Sequence, residues 1–224
     1  LEIAMVIDDS GSSTSRDLPS TAYDALAEAI RRATPEGMYP SGRVTISHAR
    51  GDTFADSTCP QESVDLSFER QDNEDLDSAE SAKKLSAAED VLVRSIACAE
   101  KNPAKGSDLL GGVVAAAQTL GGTGERIMVI VTDGRINAAP IHLRRDGMTQ
   151  SEMDEELRQA LALPMPNLQG VGVFLVGVGA DTASQDPQET LALMLWWEEY
   201  LGAAGASWVE FVAARTDQGT EASK

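Results

Sequence analysis

Short apolar segments recur along the chain at intervals that predict alternating strands and helices. Four are rich in β-branched residues and nearly uniformly apolar, which is typical of parallel strands covered on both faces. A fifth lies near the end, and a segment of alternating polarity predicts an antiparallel edge strand. The predicted strands are 3–7, 44–47, 127–131, 171–178 and 208–213, with the edge strand at 64–68.

Between the strands, apolar residues at three- and four-residue spacing predict helices. The predicted helices are 21–33, 81–99, 108–120, 151–161 and 190–203, and Ser151 with Asp154 resembles a capping box. This alternation predicts a doubly wound α/β domain with a mostly parallel central sheet, one antiparallel edge strand and helices on both faces. We expect a single domain over 1–214 and a polar tail over 215–224. In such folds, ligands bind beyond the carboxyl ends of the strands.

Three polar clusters fall at that predicted edge of the sheet. Asp8, Ser10 and Ser12 follow the first strand, Ser107 precedes the helix 108–120, and Asp133 follows the strand 127–131. Asp8, Ser10 and Ser12 alternate, so an extended loop can point all three the same way. Two carboxylates on neighbouring strands would repel each other unless a cation lay between them. Because the clusters contain oxygen donors and neither His nor Cys, they favour Mg²⁺, Ca²⁺ or Mn²⁺.

This three-part pattern resembles the metal-ion-dependent adhesion site of von Willebrand factor A domains, and the resemblance covers about residues 1–214. It implies that Ser10, Ser12 and Ser107 bind the cation directly, with Asp8 and Asp133 acting mostly through water. One coordination position stays open for an Asp or Glu of a partner protein. Mg²⁺ is the expected ion, with Ca²⁺ and Mn²⁺ as alternatives.

The resemblance leaves two points open. The family usually has Thr where this chain has Ser107, and the neighbouring Asp108 is an alternative ligand at that position. Some members of the family couple metal binding to movement of the last helix, which corresponds here to 190–203. The sequence does not show whether this chain makes that movement.

Charge narrows the choice of partner. The chain carries 36 acidic and 18 basic residues, a net charge of -18, which repels phosphate backbones. Only 4% of the residues are aromatic, which disfavours stacking on single-stranded nucleic acid. No apolar segment is long enough to cross a membrane. We therefore expect a protein partner, no nucleic acid and no direct membrane insertion.

The two cysteines bear on location. Cys59 and Cys98 form either one disulfide or two buried thiols. The disulfide is favoured because Cys59 lies in a polar segment next to a proline, and it favours an extracytoplasmic location. The chain starts within a predicted strand, as expected of a segment of a longer protein, so the missing leader says little about location.

Two other functions remain as alternatives to the binding module, which we do not expect to be an enzyme. Asp8 resembles the nucleophile of haloacid-dehalogenase phosphatases, which would make the chain a Mg²⁺-dependent phosphoryl-transfer enzyme. Those enzymes have a second Asp where this chain has Ser10, and Lys105 is the one loose candidate for their supporting lysine. The third function is a structural component with a vestigial metal site.

Several smaller features have simpler interpretations. We expect Asp9 to face solvent or the backbone, and the acidic run 72–77 to be a solvated loop. The tripeptide Arg50-Gly51-Asp52, a sequence that integrins recognise, is interpreted as a chance occurrence. Of Trp196 and Trp197, one is expected to pack in the core and the other to lie at a rim.

Overall fold

The computed structural model describes residues 1–10, 18–51, 53, 58–143, 147–180 and 187–213, with the side chains of 18 and 19 excepted. The strands are β1 (Glu2–Asp8), β2 (Arg43–Ala49), β3 (Glu62–Asp65), β4 (Arg126–Val131), β5 (Ile136–Ala138), β6 (Ile141–Leu143), β7 (Val171–Val176) and β8 (Trp208–Val212). The helices are α1 (Leu18–Ala33), α2 (Glu74–Lys101), α3 (Leu109–Ala117), α4 (Gln150–Ala160) and α5 (Pro187–Ala203). The tail and its boundary at 214 lie outside the described residues.

The central sheet has the strand order β3-β2-β1-β4-β7-β8. All its pairs are parallel except β2 with β3, which is antiparallel at the edge. The predicted doubly wound α/β fold is therefore confirmed. The edge strand begins and ends earlier than the predicted 64–68, and Leu66 beyond it is fully buried.

The central sheet divides the hydrophobic core into two layers, and successive side chains of β1 point alternately into one layer and the other. Ile3, Met5 and Ile7 pack in the layer that contains α1 and α2, whereas Ala4 and Val6 pack in the layer that contains α3, α4 and α5. Both faces of the strand are buried, which explains its uniformly apolar sequence. The same alternation sends the side chains after Ile7 to opposite sides of the sheet.

The acidic run was wrongly predicted to be a loop, since it begins α2. Asn73 caps this helix by accepting a hydrogen bond from the Leu76 N–H at 3.2 Å. Acidic side chains in the first turn, among them Glu74 and Asp75, interact favourably with the positive end of the helix dipole. Asp77 is only 3% exposed. The run therefore stabilises a helix terminus.

Two local predictions near α4 also need correction. Its capping box consists of Thr149 and Glu152, two residues before the predicted pair. The hydrogen bonds that Thr149 donates lower the pKa of Glu152. The hairpin of β5 and β6 was not predicted, because three-residue strands are too short to show a period.

The two adjacent tryptophans are both buried, so the prediction of one rim position was wrong. Trp196 is 3% exposed and stacks on Tyr200 with ring centroids 5.5 Å apart, and Trp197 is 0% exposed. Because α5 contacts both α4 and β8, more than one of its sides is covered. Neither indole therefore offers a partner surface.

Cys59 and Cys98 form a disulfide, as favoured from the sequence, with Cα atoms 5.8 Å apart. The bond joins the chain before β3 to the last turns of α2 across a sequence separation of 39 residues. Cys59 is buried. The disulfide therefore fixes the segment between β2 and β3 to the helix.

We expect the double variant Cys59→Ala with Cys98→Ala to lose roughly 3–4 kcal/mol of unfolding free energy, because the unfolded chain regains the entropy of an open loop of this length. Urea unfolding followed by far-UV circular dichroism would measure the loss. The reduced wild-type protein is the control and should lose a similar amount. Equal midpoints for oxidised wild type and variant would contradict the prediction.

Candidate metal site

The candidate site lies at the carboxyl ends of β1 and β4, where the strand order reverses. β1 pairs with β2 on one side and with β4 on the other, and both pairs are parallel. This reversal is the position at which open α/β sheets bind ligands, because the loops diverge there and leave a crevice. Asp8 ends β1 and Asp133 follows β4, so the fold brings the two predicted carboxylates to one edge.

Asp8 is held from both sides of this crevice. It is 1% exposed, and its Oδ1 accepts a hydrogen bond of 3.0 Å from the Ser10 N–H. Its Oδ2 accepts one of 2.8 Å from the Thr132 hydroxyl, which in turn accepts one of 3.0 Å from the Gly134 N–H. Thr132, which directly follows β4 and whose hydroxyl orients Asp8, was not predicted as a site residue.

Asp133 is equally buried, at 1% exposure. Its Oδ1 accepts a hydrogen bond of 3.0 Å from the Arg135 N–H, and its carbonyl accepts one of 3.0 Å from the Gly179 N–H. Gly134 has a φ of 89°, and a Cβ there would lie 3.0 Å from Val178 Cγ1. The turn that positions Asp133 therefore requires glycine.

Ser107 and Asp108 have different environments, which bears on which of the two is the better candidate for the metal ligand. Asp108 caps α3, with its Oδ1 accepting a hydrogen bond of 2.9 Å from the Gly111 N–H. Ser107 is 1% exposed, and its buried Oγ atom has no hydrogen-bond partner among the residues that the structure describes. A buried hydroxyl without a partner costs about 1–3 kcal/mol, which a bound cation would offset. The donors present therefore fit a hard cation, and Ser107 fits the ligand role better than Asp108.

Backbone contacts join the loops that carry Ser10 and Ser107. Ser10 forms an isolated parallel bridge with Ala104, and the Ala104 N–H donates to the Asp9 carbonyl at 2.8 Å. The structure thus brings together Asp8, Ser10 and the loop that ends in Ser107. Ser12 lies outside the described residues, so its role stays a prediction.

Asp9 does not face solvent or the backbone, and that prediction was wrong. Its side chain is fully buried, with Oδ1 lying 2.7 Å from Nδ1 of His48 and Oδ2 accepting a hydrogen bond from Arg50. Parallel pairing of β1 with β2 places Asp8 opposite Ala49, so the next residues along each strand also stand opposite each other. With that register known, the ion pair of Asp9 with Arg50 could have been predicted from the sequence.

The burial of Arg50 bears on the interpretation of the Arg50-Gly51-Asp52 tripeptide. Arg50 is 5% exposed and its guanidinium faces Asp9. A side chain engaged in this way is not available to a receptor. Asp52 lies outside the described residues.

Asp9, His48 and Cys59 are three buried residues of metal-ligating type, with ligand atoms within 4.8 Å of one another. Two contacts weigh against a metal ion among them. The Cys59 sulfur is bonded to Cys98, so it is not a thiolate. The Arg50 guanidinium donates to Asp9 and contacts the Cys59 sulfur at 3.6 Å, so a cation already occupies the cluster.

Helix α5 contacts the loop that carries Asp133 at two points. The indole N–H of Trp197 donates to the Gly134 carbonyl at 2.8 Å, and Arg135 pairs with Glu189 at 2.9 Å. Burial, and after it the charge of Asp108, raises the pKa of Tyr200 on the same helix. Helix α5 is therefore in direct contact with the loop that carries Asp133.

We expect Trp197→Phe to cost about 2–3 kcal/mol in unfolding free energy, because it leaves a buried carbonyl without its donor and removes part of a buried ring. If α5 communicates with the site, Mg²⁺ affinity should also change. Thermal unfolding with and without Mg²⁺ measures both effects. Trp208→Phe, at the beginning of β8 and so at the opposite end of the sheet, is the control for ring loss and should leave Mg²⁺ affinity unchanged.

The strand order, the antiparallel edge strand and the oxygen-bearing loops at the carboxyl ends of β1 and β4 define a doubly wound α/β domain, which is the fold that the resemblance to von Willebrand factor A domains implies. The resemblance inferred from the sequence is confirmed at the level of the fold.

Comparison with known proteins adds remote structural likenesses. No protein-family model matches the sequence, and no curated protein matches it. Proximal thread matrix protein 1 of the mussel byssus, solved with a zinc-occupied MIDAS motif, is 13% identical with a TM-score of 0.41, over 95% of this chain and 43% of that one. The pilus adhesin SpaC of Lactobacillus rhamnosus GG is 14% identical with a TM-score of 0.44, over 96% of this chain and 28% of that one.

The human COPII-coat protein Sec24c is 13% identical with a TM-score of 0.45, over 97% of this chain and 30% of that one. This chain thus spans less than half the length of each of the three. At these TM-scores the likenesses do not assign a function. Among the described helices, none combines the length and the apolar character needed to cross a bilayer.

Proposed function

We propose that this domain binds one divalent cation and uses it to bind a carboxylate of a partner protein, without catalysing a reaction. The observation that carries the proposal is the buried Ser107 hydroxyl, which has no hydrogen-bond partner within the described part of the chain. Ser107 belongs to a loop that is bridged to the Asp8-Ser10 segment. Buried polar atoms nearly always have a hydrogen-bond partner, so an unpartnered hydroxyl beside the crevice at the strand ends supports a role for Ser107 in binding a cation.

The proposed ligands divide into two groups. Ser10, Ser12 and Ser107 bind the cation directly, and Asp8 and Asp133 hold it mostly through water. An all-oxygen donor set favours Mg²⁺, with Ca²⁺ or Mn²⁺ as alternatives. Because few carboxylates touch the ion directly, it would remain electrophilic and supply a Lewis-acid position for an external carboxylate.

The net charge indicates what kind of partner surface the domain would bind, and the disulfide indicates where the protein would be located. A net charge of -18 repels an acidic surface, so the partner's Asp or Glu is proposed to lie within a neutral or basic surface. The Cys59–Cys98 disulfide supports an extracytoplasmic location, where such bonds persist.

Phosphoryl transfer is less well supported by the contacts of Asp8. A nucleophile needs a carboxylate oxygen directed at the substrate, whereas both Asp8 oxygens accept hydrogen bonds, from Ser10 and Thr132. Lys105, the candidate supporting lysine, is exposed.

Titration calorimetry with Mg²⁺, Ca²⁺ and Mn²⁺ on wild type and Ser107→Ala tests the metal site. We expect the variant to bind at least about tenfold more weakly, since it lacks one direct ligand. Ser95→Ala is a matched control, because the buried Ser95 hydroxyl also has no partner among the described residues but lies within α2. No heat from any ion with the wild type would overturn the metal site.

The binding role has its own test. A peptide library that displays Asp or Glu among basic residues is screened against the immobilised domain in Mg²⁺ and in chelator. We expect capture in Mg²⁺ alone, with loss after Asp→Asn or Glu→Gln in the peptide. Capture that persists in chelator would contradict the proposal, and turnover of a phosphate ester in Mg²⁺ would favour the enzyme instead.

A further inference from the structure

Arg50 joins three loops at the edge of the sheet where the metal site is proposed. Its guanidinium donates to the Asp9 carboxylate on the loop after β1, and at 2.9 Å to the Asn102 carbonyl after α2. The same side chain contacts the Cys59 sulfur at 3.6 Å, in the segment before β3. Each of these contacts is buried or half-buried, so water does not compete freely for them.

The backbone of Arg50 contacts the same loops a second time. Its carbonyl accepts a hydrogen bond of 2.7 Å from the Asp108 N–H, one residue after Ser107. Its side chain binds Asp9, one residue before Ser10. Arg50 therefore lies between the immediate neighbours of two proposed metal ligands, which come from different loops.

We propose that Arg50 is a positioning residue for the metal site: by holding Asp9 and the loop from Asn102 to Asp108 together, it sets the separation of Ser10 and Ser107 and so the affinity for the cation. This inference rests on the proposed function. Arg50 itself does not bind the metal or the partner. Its guanidinium supplies the positive charge beside Asp9, His48 and Cys59, where a second metal ion would otherwise have to lie.

The chemistry of arginine explains why this residue fits the position. A guanidinium is planar and donates in two directions at fixed angles, whereas a lysine ammonium is a compact point charge. Here one nitrogen faces Asp9 and the other faces the Asn102 carbonyl. His48 contacts Oδ1 of Asp9 at 2.7 Å, which leaves Oδ2 for Arg50. Lysine would keep the charge but lose one of the two connections.

The central test compares the conservative variant Arg50→Lys with Arg126→Lys. Arg126 also donates to a backbone carbonyl, that of Gln169 at 2.6 Å, but at the beginning of β4 and so at the opposite end of the sheet. Calorimetry measures Mg²⁺ affinity, and thermal unfolding in chelator measures stability. We expect Arg50→Lys to weaken Mg²⁺ binding roughly 10–100-fold, as removal of supporting contacts around metal ligands does. Arg126→Lys should leave the affinity unchanged.

A second control separates positioning from general stability. Leu66→Ala truncates a fully buried side chain beyond β3, away from the loops, and should lower the melting temperature at unchanged Mg²⁺ affinity. If Arg50→Lys does not fold, the double variant Asp9→Leu with Arg50→Met, which removes both charges of the buried pair, takes its place. Reduced affinity in either Arg50 variant, beyond that of Leu66→Ala, supports the inference.

The two levels of the proposal fail in different ways. If wild type binds Mg²⁺ and Arg50→Lys binds it equally well, the inference is overturned and the proposed function stands. The inference is also overturned if Leu66→Ala loses as much affinity as Arg50→Lys. If wild type binds no divalent cation, the proposed function falls, and the inference falls with it.

Discussion

Asp133→Asn is expected to abolish the rise in melting temperature that the proposed metal site predicts for the wild-type domain in Mg²⁺. A ligand at a concentration of 100 times its dissociation constant stabilises the folded state by about 2.7 kcal/mol. For a domain of this size, that corresponds to roughly 5–10 °C. The variant removes one of the two carboxylate charges that are proposed to attract the ion, and it should show no such rise. Scanning fluorimetry across a Mg²⁺ titration measures the effect.

The same substitution should not harm the metal-free fold. Asn keeps the oxygen that accepts the hydrogen bond from the Arg135 N–H, and it relieves repulsion between the carboxylates of Asp133 and Asp8. In chelator, the variant should therefore melt no lower than wild type. Asp154→Asn, on the exposed side of α4, is the charge-matched control and should keep the full response. A Mg²⁺ response in Asp133→Asn equal to that of wild type would contradict the assignment of Asp133.

The parts of the fold that sequence predicted are those that two-sided burial dictates. A strand such as β4 is buried along nearly its whole length, so it has to be apolar at every position, and its sequence shows this directly. The hairpin of β5 and β6 gives no such signal. Its burial depends on contacts with the larger core, whereas each of its strands is only three residues long.

Adjacent tryptophans on α5 show a different limit. A helix that packs on one side alone can bury one of two neighbouring residues, which is why Trp197 and Trp196 were assigned different environments. The helix in fact contacts α4 as well as β8. Tertiary covering of more than one side of a helix cannot be inferred from its own sequence, since it depends on where α4 lies.

In the candidate site too, some residues could be predicted from the sequence and others could not. Asp8, Ser10 and Asp133 were predicted as ligands because each lies shortly after a predicted strand, and the ends of parallel strands meet at one edge. Arg50 was missed, although it also directly follows a strand, because its partner is defined by the register between β1 and β2. Asp9 was misjudged because the alternation that directs Asp8 towards Thr132 directs Asp9 to the other side.

Asp9→Asn is expected to produce the largest loss of stability, about 3–5 kcal/mol, because it leaves the Arg50 guanidinium buried without a counter-charge. Asp9 and Arg50 are 0% and 5% exposed, so water cannot replace the lost carboxylate without opening the loops. Asn can accept through one oxygen only, and its amide group would present a donor to His48 or to Arg50. Urea unfolding in chelator measures the loss without any contribution from a metal.

Asp77→Asn is the matched control for this prediction. Asp77 is also a buried carboxylate, at 3% exposure, but its partner Arg70 lies 3.7 Å away with a side chain that is 60% exposed. Arg70 can therefore be solvated when its partner is neutralised, and the loss should be smaller than for Asp9→Asn. The double variant Asp9→Leu with Arg50→Met should regain much of the stability, since neither charge of the pair is left buried without its partner. If Asp9→Asn unfolds at the same urea concentration as Asp77→Asn, the buried pair is not the main electrostatic contact that holds these loops.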